Sequence, residues 1–340
     1  MATEFSGDSA DAAWIKAASA FSVADEAHAQ ASRCGNTQEI LRAAISIDNP
    51  VQRWVASRQP ALNLPFAVAE VVWILRGRND AAFLNYFNSK LPKYAGTDDI
   101  YHGAYGHRLR KSFGVDQVRR AYETLNNNPD SRQVVMQIWD VDRDLPQSDG
   151  KSVAPDIPCN IVSMLKIRNC RLEWSQIMRS NDLFRGLPYN IVQFTTLQEI
   201  MAGWLELGVG SYYHFADSLH IYETDNRTLE SLEPADVLEN TDTLALPKEE
   251  SEYALVQLEQ NLEKIVDAET TVDQIQLLAD GSQLPAGYRN LLCVTAAEGI
   301  RRRRHPLLAQ ELMDCSCGNS LLIALYKRWA ERFSSQGHLN

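Results

Sequence analysis

The sequence predicts a mixed α/β protein, and three observations carry that reading. Residues 161–167 and 171–180 are strand-like runs joined by Asn169-Cys170, the pattern of a hairpin. Residues 190–205 are apolar around most of a helical circumference, as a buried helix would be. Beyond residue 231, helical periodicity recurs around 253–265, 291–300 and 321–333, giving a helical C-terminal extension.

Bulk properties narrow the function. With 340 residues, 45% of them hydrophobic, the chain can bury a large core. A formal charge of −11 argues against a nucleic-acid partner, because neutralising phosphates takes a basic surface. A small anion needs only a local cluster of arginines. Six unevenly spread cysteines form no disulfide framework and suit a reducing cytosol. Cys315-Ser316-Cys317 lacks the paired spacing and histidines of a zinc site, so no metal is expected. No apolar run reaches membrane-spanning length, and the acidic, alanine-rich start has no basic leader. A soluble, cytoplasmic protein without membrane contact is expected.

Taken in order, residues 1–30 read as an alanine-rich lead-in, frayed or helical. Ser32-Arg33-Cys34-Gly35-Asn36-Thr37 is a polar loop, either a solvated turn or a phosphate cradle using Arg33. Residues 66–75 form an apolar helix carrying one acid, Glu70. A carboxylate on an apolar face is costly unless partnered, so Glu70 lies at the helix margin or is functional. Tyr101-His102-Gly103-Ala104-Tyr105-Gly106 reads as a tight loop projecting the Tyr105 phenol, or as core packing. Residues 131–139 read as a strand, 140–156 as a surface loop and 212–222 as a further strand. The basic run Arg301-Arg302-Arg303-Arg304 is a solvated helix face, or alternatively a phosphate or partner patch.

The chemistry concentrates at Ile157-Pro158-Cys159-Asn160 and Arg179-Ser180-Asn181-Asp182-Leu183-Phe184-Arg185-Gly186-Leu187-Pro188-Tyr189-Asn190. A lone cysteine is usually a small buried hydrophobe. A cation beside it favours the thiolate and makes it a nucleophile. The hairpin puts Cys159 and Arg179 near the same end of adjacent strands, which that activation requires.

These two stretches, with His220-Ile221-Tyr222, resemble the thymidylate synthase superfamily from about Ser32 to Tyr222, and its pyrimidine nucleotide hydroxymethylase branch (dUMP, dCMP or CMP) in particular. The resemblance implies an α/β (α+β) fold with a large mixed sheet and surrounding helices, and a homodimer whose sheets pack back to back. It divides the chain into a lead-in (residues 1–30), a catalytic domain (31–230) and a helical extension (231–340). It implies a one-carbon transferase of nucleotide biosynthesis acting with 5,10-methylenetetrahydrofolate on a pyrimidine nucleoside monophosphate. Cys159 would add to C6 with Arg179 beside it. Glu70 would order water and relay protons, and Tyr105 would help the C5 proton leave. Arg33 would bind phosphate, and Arg132 would reach the phosphate in the neighbouring subunit's site, with Gln133 beside it. Ser180, Asn190, His220 and Tyr222 would hold base and sugar, and Asp182 and Gly186 the folate.

The departures choose the branch. Gln133 replaces a second arginine and gives hydrogen bonds without charge. Asn160 stands where histidine is usual. No tryptophan occurs between Trp73 and Trp139, where synthases place one against the folate, and Gln336-Gly337-His338-Leu339-Asn340 is no apolar closing tail. Without that shielding, water rather than hydride would complete the product. Asn181 is similar to the residue found in hydroxymethylases. Asn190, able to accept from N3–H and donate to O4, suits uracil, hence UMP or dUMP. The competing readings are a CMP or dCMP hydroxymethylase, a methylating synthase, and a non-catalytic nucleotide-binding paralogue.

Overall fold

A computed structural model describes residues 3–22, 27–32, 35–226, 229 and 238–334. Arg33 and the residues 336–340 fall outside them. The N-terminal part runs β1 (Thr3–Gly7), α1 (Ala10–Ala20), β2 (His28–Ser32), β3 (Gly35–Ile47), α2 (Leu64–Leu75), α3 (Ala81–Phe87), α4 (Pro92–Ala95), α5 (Tyr105–His107) and α6 (Gln117–Asn127). The centre runs β4 (Val135–Gln137), α7 (Val141–Asp144), β5 (Asn160–Arg168), β6 (Arg171–Met178), β7 (Asn181–Asp182), α8 (Leu187–Trp204), β8 (Gly208–Tyr222) and α9 (Glu223–Asn226). The C-terminal part is helical: α10 (Lys248–Val266), α11 (Val272–Asp280), α12 (Ala286–Arg302), α13 (Pro306–Ser316) and α14 (Ser320–Ser334).

The expected α/β architecture with a large mixed sheet is present. Its strands run β1-β3-β8-β6-β5-β4, with β2 beside β3 and β7 beside β8. β1–β3, β6–β8 and β7–β8 are parallel and the remaining pairs antiparallel. The β5–β6 hairpin turns at Asn169 and Cys170, both at positive φ (50° and 56°), the two-residue turn whose twist matches paired strands.

The sheet's two faces differ. Met136, Ser163, Gln176, His214 and Ile45 align across five strands and are all buried. Helix α8 lies on that side, where its Phe194 packs on Trp174; α1 packs on β1 and β3, and α2 packs on α8. The opposite face presents Val135, Met164, Ser175, Tyr213 and Ser46 in one row, and Gln137, Val162, Ile177, Phe215 and Ala44 in the next. Val135 is 54% exposed and Tyr213 39%, so this chain leaves apolar parts of that face uncovered.

Several segments differ from their sequence reading. The lead-in contributes an edge strand, and α1 buries Trp14 completely, its Nε1 donating to the Leu183 carbonyl at 2.8 Å. Of residues 131–139 only Val135–Gln137 is strand. The segment before it is held by a turn, Ser131 N to Asn128 O. Tyr105 opens a helical turn instead of a loop. Three of the four arginines of the run make structural contacts, while Arg304 is exposed as a solvated position would be. Buried Glu298 accepts from Arg301, Arg302 and Trp329, while Arg303 donates to the Thr270, Ile265 and Gly299 carbonyls, closing α12 against α10. Apolar residues from Phe5 to Trp329 form one buried cluster, so α10, α12 and α14 share the core that backs the sheet. No helix among the described residues is long and apolar enough to cross a membrane.

Trp14→Ala should destabilise the protein by about 3–5 kcal/mol. Trp14→Phe, which mainly orphans the Leu183 carbonyl, should cost about 1–2 kcal/mol. Urea midpoints measure both, and an unchanged midpoint in Trp14→Ala would contradict a structural role for the N-terminal helix.

Candidate active site

The hairpin positions Cys159 and Arg179. Asn160 pairs with Met178, so the next residues outward, Cys159 and Arg179, face each other at the end remote from the turn. Arg179 N donates to the Cys159 carbonyl at 2.9 Å. Its side chain folds back, with Nε 2.9 Å from the Pro158 carbonyl and Nη2 3.0 Å from that of Ile157. The same Nη2 stands 3.8 Å from Cys159 Sγ. Two carbonyls thus fix a guanidinium beside a sulfur, an arrangement that favours thiolate over thiol.

Tyr105 and Glu70 come to the same place from other elements. Gly106 lets the Tyr105 turn lie on α2, since a Cβ there would meet the Ile74 carbonyl oxygen at 2.1 Å. Burial pushes the Tyr105 phenol well up; negative charge on Cys159, Asp156 and Glu70 adds to this, and the Asn160 amide opposes it. Tyr105 therefore feels both Cys159 and Glu70. Glu70 projects from α2 with Oε2 buried and without a hydrogen-bond partner among the described residues. Burial pushes its carboxyl up to about 7, against a hydrogen bond from Gln193 that lowers it.

Gln193 also joins the predicted base reader, accepting from Asn190 Nδ2 at 3.0 Å. Gln193 was not singled out from sequence, although it lies one helical turn after Asn190, a legible spacing.

A second cluster follows from β7 and the end of β8. Asp182 Oδ1 accepts from the backbone of Phe184 (2.7 Å) and Arg185, while Oδ2 is buried without a hydrogen-bond partner among the described residues, 4.0 Å from His220 Nε2. Burial pushes this carboxyl up, against the backbone N–H of Arg185, His220 and the backbone N–H of Phe184. His220 Nδ1 lies 3.3 Å from Ser180 Oγ. Tyr222 carries the Arg185 guanidinium over its ring at 4.3 Å. Gly186 sits tightly, a Cβ there meeting Asn181 Oδ1 at 2.8 Å. The loop is held from outside by the Trp14 bond to Leu183 and by Arg58, whose Nε donates to the Phe184 carbonyl at 2.7 Å. Neither residue was read from sequence, since contacts over 169 and 126 positions leave no local signal.

Other residues stand apart. Arg132 and Gln133 are exposed in the segment before β4, with no side-chain contact to the residues above among those described. Asn181 turns into the core, its amide 2.9 Å from His214 Nε2, and burial holds that histidine at about 3, hence neutral. Trp73 and Trp174 are buried, at 4% and 1% exposure, their indole N–H groups directed to the Asp80 carbonyl and to Gln176. No His, Cys, Asp or Glu cluster suited to a metal occurs among the described residues.

The thymidylate synthase family model matches residues 22–277. Deoxyuridylate hydroxymethyltransferase of Bacillus phage SP01 is 37% identical over 60% of this chain and 55% of its own length. The enzyme of the same description from Pseudomonas phage M6 is 34% identical over 51% of this chain and 49% of its own. A putative thymidylate synthase of Methanothermobacter marburgensis is 31% identical over 66% of this chain and 95% of its own. The chain thus spans about half the length of the two phage relatives. With three quarters of its residues matched by that one description, the chain belongs to the thymidylate synthase family.

Proposed function

We propose that the protein hydroxymethylates C5 of a pyrimidine nucleoside monophosphate, of uracil type (UMP or dUMP), with 5,10-methylenetetrahydrofolate. The observation that carries this reading is the Arg179 guanidinium 3.8 Å from Cys159 Sγ, with Tyr105 coupled to both Cys159 and Glu70. The names of the two phage relatives support the hydroxymethyl product.

Cys159 adds through sulfur to C6, which makes C5 nucleophilic. The folate, when bound, supplies the one-carbon unit that C5 receives. Asp182 suits its pterin, its Oδ2 without a partner among the described residues being an acceptor for ring N–H groups, and Gly186 lets the turn beside it close on Asn181. Tyr105 assists the proton leaving C5. Glu70, titrating near neutrality, orders water and moves protons about the ring. Asn190 reads the base and Ser180, His220 and Tyr222 hold the nucleotide, with Arg33 on the phosphate. The absence of a tryptophan between Trp73 and Trp139 favours water over hydride in the last step. The uncovered sheet face supports a homodimer, in which Arg132 and Gln133 would reach the partner's phosphate. A cytoplasmic setting suits its reactive thiol.

Offered UMP, dUMP, CMP and dCMP together with the folate, the protein should yield a 5-hydroxymethyl uracil nucleotide by mass analysis. A methylated product with dihydrofolate released would refute the final step, and Asn190→Asp should shift selectivity toward cytosine. Tritium at C5 should exchange into water, and Cys159→Ser should abolish this by at least about 1,000-fold while nucleotide binding persists. A scaffold releases none.

Glu70 sets a pH dependence of stability. Between its ordinary value of 4.5 and about 7 the folded protein holds a proton that the unfolded chain has released. Stability from this group is therefore present at low pH and lost as pH rises through about 7. Each tenfold difference in proton affinity between the folded and unfolded chain is worth about 1.4 kcal/mol. Glu70→Gln should gain roughly 1–3 kcal/mol on wild type between about pH 5 and about pH 8 in denaturant titrations, where parallel curves would contradict the burial argument.

A further inference from the structure

We infer that Asn160 is a positioning residue, locked as a hydrogen-bond donor toward Tyr105 by a one-directional chain of side chains that starts at Trp174. This deepens the functional reading above and rests on it.

The polarity of an amide is fixed when a partner has only one. An indole N–H can only donate, and Trp174 Nε1 lies 3.2 Å from Gln176 Oε1. Ser163 Oγ, at 2.6 Å, donates to the same oxygen. The other terminal atom of Gln176 is therefore its nitrogen, which donates to Asn160 Oδ1 at 2.8 Å. What Asn160 has left is Nδ2, a donor. The residue is wholly buried, and Nδ2 has no partner at full hydrogen-bond geometry among the described residues. An unfilled buried donor costs about 1–3 kcal/mol, so this orientation works against stability.

Tyr105 lies at that donor. Tyr105 and Trp174 both pack on Phe194, each with ring centroids 6.4 Å away, and the phenol stands close enough to Cys159 to feel its charge. The Asn160 amide lowers the phenol's pKa, the direction expected of a donor at its oxygen. Asn160 directly follows Cys159, so the chain runs beneath the nucleophile. Once the phenol closes on this waiting donor, Asn160 would take one lone pair and leave the O–H and the other lone pair of Tyr105 for the reaction. Negative charge developing on the phenol as a proton leaves C5 is then stabilised. A reversed Asn160 would present an acceptor and draw the phenol O–H away from the reaction.

Gln176→Glu tests this with almost no change of shape. The introduced carboxylate can accept from Trp174 and Ser163 but cannot donate to Asn160, whereas its protonated form can. Release of C5 tritium from labelled dUMP should fall at least about tenfold at neutral and higher pH, with nucleotide affinity kept within a few-fold. It should recover as pH falls and the introduced group takes up a proton, a recovery wild type does not show. Gln176→Met, with neither polarity, should stay low at every pH. If Gln176→Glu does not fold, Asn160→Asp asks the same question, with release lost at high pH and returning on acidification. Wild-type rates across the pH range, or a loss without acid recovery, would overturn the relay alone. No release from the wild-type protein would overturn the functional reading and the relay with it.

Discussion

A guanidinium fixed beside a sulfur is the constraint on which the site depends. Arg179 is held by the Ile157 and Pro158 carbonyls, and among the described residues no carboxylate pairs with it, so its charge remains available to Cys159. The register of β5 on β6 sets that proximity: the two positive-φ residues of the turn fix the pairing as far as Val162 and Ile177, and a bulge between Asn160 and Val162 shifts it by one residue, which brings Cys159 opposite Arg179. A slip of one residue would send Cys159 and Arg179 to opposite faces. The chemistry is thus written into the geometry of a hairpin whose turn lies at its far end.

Behind the hairpin the protein buries polar groups that a purely stabilising core would avoid. Asn160, Ser163, Gln176, Asn181 and His214 are all buried, and Glu70 and Asp182 each carry a buried oxygen without a hydrogen-bond partner among the described residues. Desolvation is the first cause of the raised Glu70, Tyr105 and Asp182 values, so the same burial that weakens the fold tunes the site. The continuous core offsets this, extending through α10, α12 and α14 to Trp329. Glu199 adds a polar tie. It accepts from Arg53, Leu244 N and Thr243 Oγ1, joining α8 to the segments that lead into the C-terminal helices. The C-terminal helices thereby support the scaffold of the site.

What the sequence made legible was what local spacing controls. The hairpin and its turn at Asn169-Cys170 follow from strand length and turn chemistry, and they bring Cys159 and Arg179 to the same end; the bulge between Asn160 and Val162 that sets them directly opposite left no such signal. Glu70 stood out as the one acid in an apolar helix. Long-range contacts were not legible: Trp14 and Arg58 reach carbonyls of a distant loop, and Arg303 reaches the Thr270 and Ile265 carbonyls, whereas Arg301 and Arg302 pair with Glu298 at a helical spacing that the sequence does show. The inward turn of Asn181 onto His214 was not legible, because β7 has only two residues, too few for alternation to reveal a face. Gln193 and Gln176 were overlooked although both lie three positions from residues already singled out.

The most direct test of the nucleophile is a covalent one. A 5-fluoro analogue of dUMP cannot release its C5 substituent as a proton, so a C6 adduct formed with it and the folate should persist. Peptide mapping by mass spectrometry should find the nucleotide on the peptide containing Cys159, and Arg179→Ala should sharply reduce it. An unmodified protein, or label on another cysteine, would contradict the account.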